Sequence, residues 1–123
     1  MSEISETLLK QRLRNRIMES LDAFADEDTV GEEGTGEIIE IWYDYVDDDH
    51  LGFYDNPVFS AEEINAIKRF HYLLENTYQK VPSTWELDEL NGCKEWSELV
   101  VLAREGLAIF NKRGLFDEEK EIT

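Results

Sequence analysis

The chain has few of the residues that cross-link a protein or hold it in a membrane. Cys93 is the single cysteine among 123 residues, so an intramolecular disulfide and a zinc site built from several thiolates are excluded, and a reducing compartment is expected. No apolar run approaches the roughly 18 residues that a membrane-spanning helix needs, and the N-terminal segment has no apolar signal region. The sequence therefore predicts a soluble, cytoplasmic protein that binds no membrane.

Basic residues are also scarce, and one region has none. The chain carries 29 Asp and Glu against 12 Lys and Arg, which gives a formal net charge of -17 at pH 7. Between Ile17 and Ile67 there are sixteen acidic residues and no Lys or Arg. Since a negative potential repels phosphate backbones, direct nucleic-acid binding is disfavoured, and a partner steered by charge is expected to be basic.

Sequence motifs that carry chemistry are missing as well. The chain contains no HExxH motif, no Rossmann fingerprint and no serine and histidine motif. The spacings between His50, His71 and Cys93 match no recognised metal or nucleophile motif. An EF-hand beginning at Asp47 would place Val58 where a bidentate glutamate is needed. The expectation is a protein without enzymatic activity, metal or cofactor.

Apolar residues recur every three or four positions along most of the chain, as in amphipathic helices. This pattern predicts a first helix from Ser5 to Phe24. Capping-box sequences predict a third helix from Ser60 to Val81 and a short helix from Ser83 to Leu90. A last helix is expected from Lys94 to Arg113, where Gly114 is a natural terminator.

The segments between and beyond these helices complete the predicted fold. Residues 26–36 include three glycines within six residues, so this stretch is predicted to be a mobile loop. Residues 1–4 and 117–123 are expected to be frayed tails. With a second helix over residues 37–49, the chain has four main helices and one short helix, which predicts a single all-α domain over residues 1–123, arranged as a bundle or an orthogonal array. The oligomeric state is left open between monomer and dimer.

The segment from Glu37 to Asp55 concentrates acidic and aromatic residues and contains no Lys or Arg. Its residue types favour a strand, but the acids repeat with a period of about 3.6, which favours a helix with Trp42, Tyr45 and Val46 on its buried side. Carboxylates beside tyrosines are suited to binding Lys and Arg side chains. The predicted partner-binding residues are Glu40, Tyr43, Asp44, Asp47, Asp48, Asp49, Tyr54 and Asp55.

His71 and the arginines of the first helix each allow two interpretations. His71 lies on the apolar stripe of the third helix, where a buried neutral imidazole with a hydrogen-bond partner is expected. The alternative is a small enzyme with a pocket around His71. Arg12 and Arg16 share a face away from the apolar stripe and are expected to pair with acids within the fold or across a dimer.

Three pieces of the sequence carry a resemblance to known proteins. They are the first helix with Arg12, Arg16 and Leu21, the segment from Trp42 to Asp49, and the pattern W-x-x-L-V-V-x-A-R-E from Trp96 to Glu105. Over roughly residues 8–110 the chain resembles a family of small, acidic, all-helical bacterial proteins that lacks an established activity. Such proteins are similar to immunity proteins, the small cytoplasmic inhibitors that bind a toxin domain. The resemblance implies an inhibitor and brings no catalytic residues.

These observations predict a binding protein. The leading interpretation is an immunity protein that occludes a basic, nuclease-type toxin domain with the acidic helix and the loop after it. One alternative is an adaptor or regulatory subunit for another basic protein. The remaining interpretation is an acidic surface that only keeps the protein soluble.

Overall fold

The computed structural model describes residues 5–47, 54 and 58–122. Within these residues the chain forms six α-helices and no β-strand, so the predicted all-α fold class is confirmed. Helix α6 packs mainly against α1 and α4, and α1 also packs against α3. The elements are α1 (Glu6–Ala25), α2 (Glu27–Glu33), α3 (Thr35–Tyr45), α4 (Ala61–Thr77) with a 3-10 turn after it (Tyr78–Lys80), α5 (Leu87–Leu90) and α6 (Lys94–Asn111).

Helix α1 forms where the sequence predicted the first helix. The Ser5 hydroxyl accepts a hydrogen bond from the Leu8 amide at 3.1 Å, which satisfies one of the free amides of the first turn. Of the predicted apolar stripe, Leu9 at its start is 48 % exposed, whereas Ile17, Leu21 and Phe24 are buried. These side chains join the core that α1 shares with α3 and α6.

Residues 26–36 are not the mobile loop that their glycines predicted. Helix α2 occupies most of this stretch, and the Asp26 carboxylate caps it by accepting a hydrogen bond from the amide two residues on, at 3.0 Å. The acids of the first turn complement the positive end of the helix dipole, and Val30 is buried. Capping and burial therefore outweigh the cost of about 1 kcal/mol that Gly31 carries inside a helix. Gly34, at φ 82°, separates α2 from α3.

Helix α3 corresponds to the second predicted helix but is shorter. It ends at Tyr45, and Val46 adopts extended backbone with φ -132° and ψ 123°, so Asp47 follows the helix and does not lie in it. The β-branched side chain of Val46 suits this conformation, in which it is fully buried. Trp42 is also fully buried, as the helical wheel predicted. Three predicted site residues lie outside the described residues: Asp48, Asp49 and Asp55.

Helix α4 begins with the capping box that the sequence predicted. The Ser60 hydroxyl accepts from the Glu63 amide at 3.2 Å, and the Glu63 carboxylate accepts from the Ser60 amide at 3.1 Å. The helix ends at Thr77, earlier than the predicted Val81, because a 3-10 turn replaces its last turn. The helix packs mainly against α6, and its buried side chains, among them Ile67, Phe70 and Leu74, belong to the hydrophobic core.

The short helix α5 differs from its prediction, whereas α6 matches. Helix α5 begins after Glu86 and has no side-chain cap, so the predicted capping role of Ser83 is wrong. The reason is the next residue, Thr84, which is buried and whose amide donates to Thr35 Oγ1 at 3.0 Å. This contact with the start of α3 holds the chain in a non-helical conformation at the position where the helix was predicted to begin. Helix α6 is followed by Gly114 at φ 74°, the terminator that the sequence predicted.

Residues 117–122 are not a frayed tail, because side chains of α1 hold them in place. Gln11 Nε2 donates to the carbonyl oxygens of Asp117 and Lys120, both at 2.8 Å, and Gln11 Oε1 accepts from an amide of the same segment at 2.8 Å. Asn15 bonds both the amide and the carbonyl of Phe116, at 2.9 and 2.8 Å. Since Gln11 and Asn15 are buried, these bonds fasten the C-terminal segment along α1.

A buried ion cluster, which no sequence pattern indicated, joins α1, α4 and the end of α6. The guanidinium of Arg14 is bidentate on the carboxylate of Glu63, with Nε to Oε1 at 3.1 Å and Nη2 to Oε2 at 2.9 Å. Arg113 Nη2 donates to the same carboxylate at 2.6 Å. Arg14 also donates to the carbonyl of Gly114 at 2.6 Å, and its guanidinium lies 3.9 Å from the ring centre of Phe116. The cluster therefore joins the middle of α1 to the start of α4 and the end of α6.

Candidate functional site

The exposed side of α2 and α3 carries a row of carboxylates. Residues three or four apart on a helix are neighbours on its surface, so this row is continuous along α3. Three of the predicted site residues, Glu40, Asp44 and Asp47, belong to the row and are exposed. The acidic face comprises Glu33, Glu37, Glu40, Asp44 and Asp47.

The fold does not neutralise most of the acidic face. Within the part of the chain that the structure describes, its members from Glu33 to Asp44 make no ion pair. Two arginines of α1 bind elsewhere: Arg16 pairs with the carboxylates of Glu19 and Glu118, as predicted, whereas Arg12 Nε donates to the backbone carbonyl of Glu118 at 2.8 Å. The carboxylates of Glu33, Glu37, Glu40 and Asp44 are therefore exposed and available to a cation from outside.

The arrangement of these acids costs helix stability. Like charges three or four residues apart, such as Glu37 with Glu40 and Glu40 with Asp44, destabilise a helix by about 0.2–0.5 kcal/mol per pair. Asp44 also lies in the last turn of α3, where the helix dipole disfavours negative charge and no basic residue is present. A bound cation would relieve both effects.

Tyr43 lies at the edge of the acidic face and is partly buried, with its ring packed against the core. Its ring packs edge-on against His71, with 5.7 Å between ring centres, and against Tyr78, with 6.3 Å between ring centres. Tyr78 is itself exposed. The aromatic rings beside the acidic face are thus held by contacts between α3 and α4, and part of their surface faces solvent.

Tyr54 is not the surface anchor that the sequence predicted. Its side chain is 3 % exposed, and its hydroxyl donates to the carbonyl of Tyr45 at 2.6 Å. The ring packs edge-on against Phe59, with 5.3 Å between ring centres. The physical reason is that the last turn of α3 has free carbonyls, and a buried phenol satisfies one of them while adding its ring to the core.

The buried phenol of Tyr54 gives a prediction on pH dependence. Burial, together with the negative charge of Asp47, raises the pKa of Tyr54 to about 12, from an ordinary value of 10.0. Because the folded pKa is the higher one, this group contributes its full stability below pH 10 and loses it as the pH rises through about 12. In an ultraviolet titration of tyrosinate, Tyr54→Phe should remove a step near pH 12. Loss of an early step in Tyr54→Phe would contradict the prediction.

An exposed tryptophan, which no sequence pattern indicated, completes the site. Trp85 is 58 % exposed, and its indole lies directly on Gly34, where an added Cβ would be only 2.8 Å from Trp85 Cε2. Trp85 comes next to the acidic face because the backbone before it pairs with the start of α3, from the Thr35 amide to the Thr84 carbonyl at 3.0 Å. Trp85 and the acidic face enclose a cleft of about 420 Å³, here named the Trp85 cleft. Its lining residues are Glu33, Gly34, Gly36, Glu37, Glu40, Ser83, Thr84 and Trp85.

His71 has the buried position that its place on the apolar stripe predicted. Its side chain is 3 % exposed, and its Nδ1 accepts a hydrogen bond from Trp42 Nε1 at 3.1 Å. Because Nδ1 is an acceptor here, the ring proton lies on Nε2, which is 3.4 Å from Glu75 Oε1. Both nitrogens therefore have structural partners, and a substrate would reach the ring only after side chains move.

Among residues 5–47, 54 and 58–122, no group of three or more His, Cys, Asp or Glu side chains is placed to hold a metal ion. In the same residues, no helix has both the length and the apolar character needed to cross a membrane.

Comparison of the chain with protein-family models, with curated proteins and with solved structures finds no match.

Proposed function

We propose that this chain is a non-enzymatic binding protein that covers a basic surface of another protein with its acidic face. The observation that carries the proposal is the row of exposed carboxylates on α2 and α3, whose members from Glu33 to Asp44 have no ion-pair partner among the described residues. A row that only kept the protein soluble would not need its charges crowded at a cost to α3.

Binding would proceed in two stages. The net charge of -17 attracts a basic partner over a distance set by the Debye length, about 8 Å at physiological ionic strength. At contact, the carboxylates of the acidic face accept charge-assisted hydrogen bonds from Lys and Arg. Association should therefore slow and weaken as salt rises.

The partner we propose is a nuclease-type toxin domain, so that the chain acts as an immunity protein by occlusion. A nuclease must present a basic surface to the phosphates of its substrate. A row of carboxylates at helical spacing fits such a surface and competes with the nucleic acid for it. The resemblance to immunity-like bacterial proteins supports the same reading. If the partner is instead a basic protein unrelated to toxins, the chain acts as an adaptor or regulatory subunit.

The test combines capture of the partner with a matched pair of charge-reversal variants. The tagged chain is used to capture proteins from its source cell, and mass spectrometry identifies them. Glu40→Lys with Asp44→Lys should then weaken binding of the captured basic protein about 100-fold. The control, Glu119→Lys with Glu121→Lys, makes the same charge change at exposed positions outside the acidic face and should weaken binding far less.

Three outcomes decide the proposal. Selective loss of binding in the Glu40 and Asp44 variant, with an unchanged helical circular dichroism spectrum, supports it. An equal loss of binding affinity in both variants would show that net charge alone drives binding, and the proposed role of the acidic face would be wrong. Capture of no basic protein, or capture that survives high salt and both variants, contradicts the proposal.

A further inference from the structure

Trp85 is unlike the other tryptophans of the chain. Trp42 and Trp96 are buried in the core, whereas Trp85 is 58 % exposed at the mouth of the Trp85 cleft. Three carboxylates of the cleft, those of Glu33, Glu37 and Glu40, surround an aromatic face that water reaches. An indole and several carboxylates around one opening provide the two interactions that bind a planar cation, stacking and charge-assisted hydrogen bonding.

The segment that carries Trp85 is fixed on both sides. Before it, the Thr84 amide donates to Thr35 Oγ1 at 3.0 Å, and the Thr84 carbonyl accepts from the Thr35 amide at 3.0 Å. After it, the Glu86 amide donates to Thr84 Oγ1 at 3.0 Å. Below it, Gly34 has no Cβ, so the indole rests directly on the backbone. An aromatic side chain held in this way loses little conformational entropy when it binds.

We infer that the Trp85 cleft binds an arginine side chain of the partner, with the guanidinium stacked on the indole of Trp85 and hydrogen-bonded to Glu33, Glu37 and Glu40. This inference rests on the proposed function and specifies its recognition chemistry. Arginine fits better than lysine, because its guanidinium is planar, stacks on aromatic faces and presents five donors in a fork that matches carboxylates. The charge of the cleft is complementary to that cation.

The probe is an oligo-arginine peptide added to the full chain, with oligo-lysine and oligo-citrulline peptides of the same length for comparison. Since Trp42 and Trp96 are buried, quenching of tryptophan fluorescence by acrylamide reports mainly on Trp85. The arginine peptide should protect Trp85 from quenching, the lysine peptide should protect it less at equal occupancy, and the uncharged citrulline peptide should not protect it. Equal protection by the arginine and lysine peptides would overturn the choice of arginine.

Variants separate the cleft from general attraction of a cationic peptide to an acidic protein. Trp85→Ala should weaken binding of the arginine peptide about tenfold in calorimetry, and Trp85→Phe should weaken it less. Tyr72→Ala, which removes an exposed aromatic outside the cleft, should leave binding unchanged. Gly34→Ala should also weaken binding, because its Cβ displaces the indole. Unchanged binding in Trp85→Ala, with its circular dichroism spectrum intact, would overturn the inference.

The captured partner distinguishes failure of this inference from failure of the proposed function. If the Glu40 and Asp44 reversals abolish partner binding while Trp85→Ala does not, the role of the acidic face is supported and arginine binding in the Trp85 cleft is wrong. If the Glu40 and Asp44 reversals selectively weaken partner binding, and Trp85→Ala weakens binding of both the peptide and the partner, both proposals are supported. If neither set of variants affects the partner, both proposals are wrong.

Discussion

Glu63→Gln is expected to lower the free energy of unfolding by about 3–5 kcal/mol, because it leaves a buried guanidinium without its counter-charge. Arg14 is 0 % exposed and Glu63 is 1 % exposed, so solvent does not screen the loss. The bidentate pair at 2.9 and 3.1 Å would be reduced to bonds with a neutral amide, while the charge of Arg14 stays buried beside the Phe116 ring. Urea denaturation of the variant against the wild type measures the difference.

The neighbouring residue Glu62 provides a matched control. Its ion pair with Lys112, at 2.7 Å, lies in the open, with the two side chains 65 % and 63 % exposed. Glu62→Gln removes the same charge from the same helical turn and should cost about 1 kcal/mol or less. A Glu63→Gln variant no less stable than Glu62→Gln would show that the buried ion cluster does not stabilise the fold.

Glu63→Gln is also expected to change how the free energy of unfolding depends on pH in the acid range. Burial by itself would raise the pKa of Glu63, but hydrogen bonds from Arg14 and Arg113, with one from the Ser60 amide, outweigh it and hold the pKa below its ordinary value of 4.5. A depressed folded pKa means that the contribution of Glu63 is complete above pH 4.5 and is lost as the pH falls through the folded value. The stability difference between wild type and Glu63→Gln should therefore shrink below pH 4.5. A difference that stays constant to lower pH would contradict this linkage.

Trp42→Ala is expected to cost about 3–5 kcal/mol, the usual range for truncation of a large aromatic side chain in a core. Trp42 is 0 % exposed and packs edge-on against Phe70, with 4.7 Å between ring centres, so the surrounding helices cannot fill the cavity without moving. Trp42→Phe keeps much of the ring contact but removes the hydrogen bond to His71, and should cost about 1–3 kcal/mol. The two variants separate packing from hydrogen bonding in the contact between α3 and α4.

Trp85→Ala is the control for this experiment, since it removes the same side chain from an exposed position. It should lower the free energy of unfolding by about 1 kcal/mol or less. Thermal or urea denaturation of the three variants would then rank them Trp42→Ala, Trp42→Phe and Trp85→Ala in order of decreasing loss. If Trp85→Ala were as destabilising as Trp42→Ala, Trp85 would belong to the core, and the arginine-binding cleft would lose its basis.

Helical periodicity and capping patterns located most of the fold because both are local properties of the chain. The Ser60 and Glu63 capping box formed as predicted, since the two residues lie within one helical turn. The same reasoning failed at residues 26–36, where burial of Val30 and the Asp26 cap overrode the glycines, and at Ser83, where the pairing of Thr84 with Thr35 overrode the capping pattern.

Only part of the candidate site was predicted, because local patterns specify some of its residues and tertiary contacts place the others. Exposure of Glu40 and Asp44 follows from the period of α3, which the spacing of the acids shows directly. Tyr54 was assigned to the surface because an aromatic residue beside acids looks like a binding residue, and only its contact with the Tyr45 carbonyl reveals its role in the core. Trp85 was not identified, because its place beside the acidic face depends on a pairing of Thr35 with Thr84, 49 residues apart.

The sequence by itself determined that this protein is helical, that its acids cluster between Ile17 and Ile67, and which side of α3 faces solvent. Composition and short-range periodicity contain that information. Only the tertiary structure decided which charges are paired inside the fold and which stay exposed without an ion pair among the described residues. Arg14 meets Glu63 across 49 residues, and Gln11 meets Asp117 across 106. Such pairings depend on how helices pack, and periodicity within one helix does not specify its neighbour.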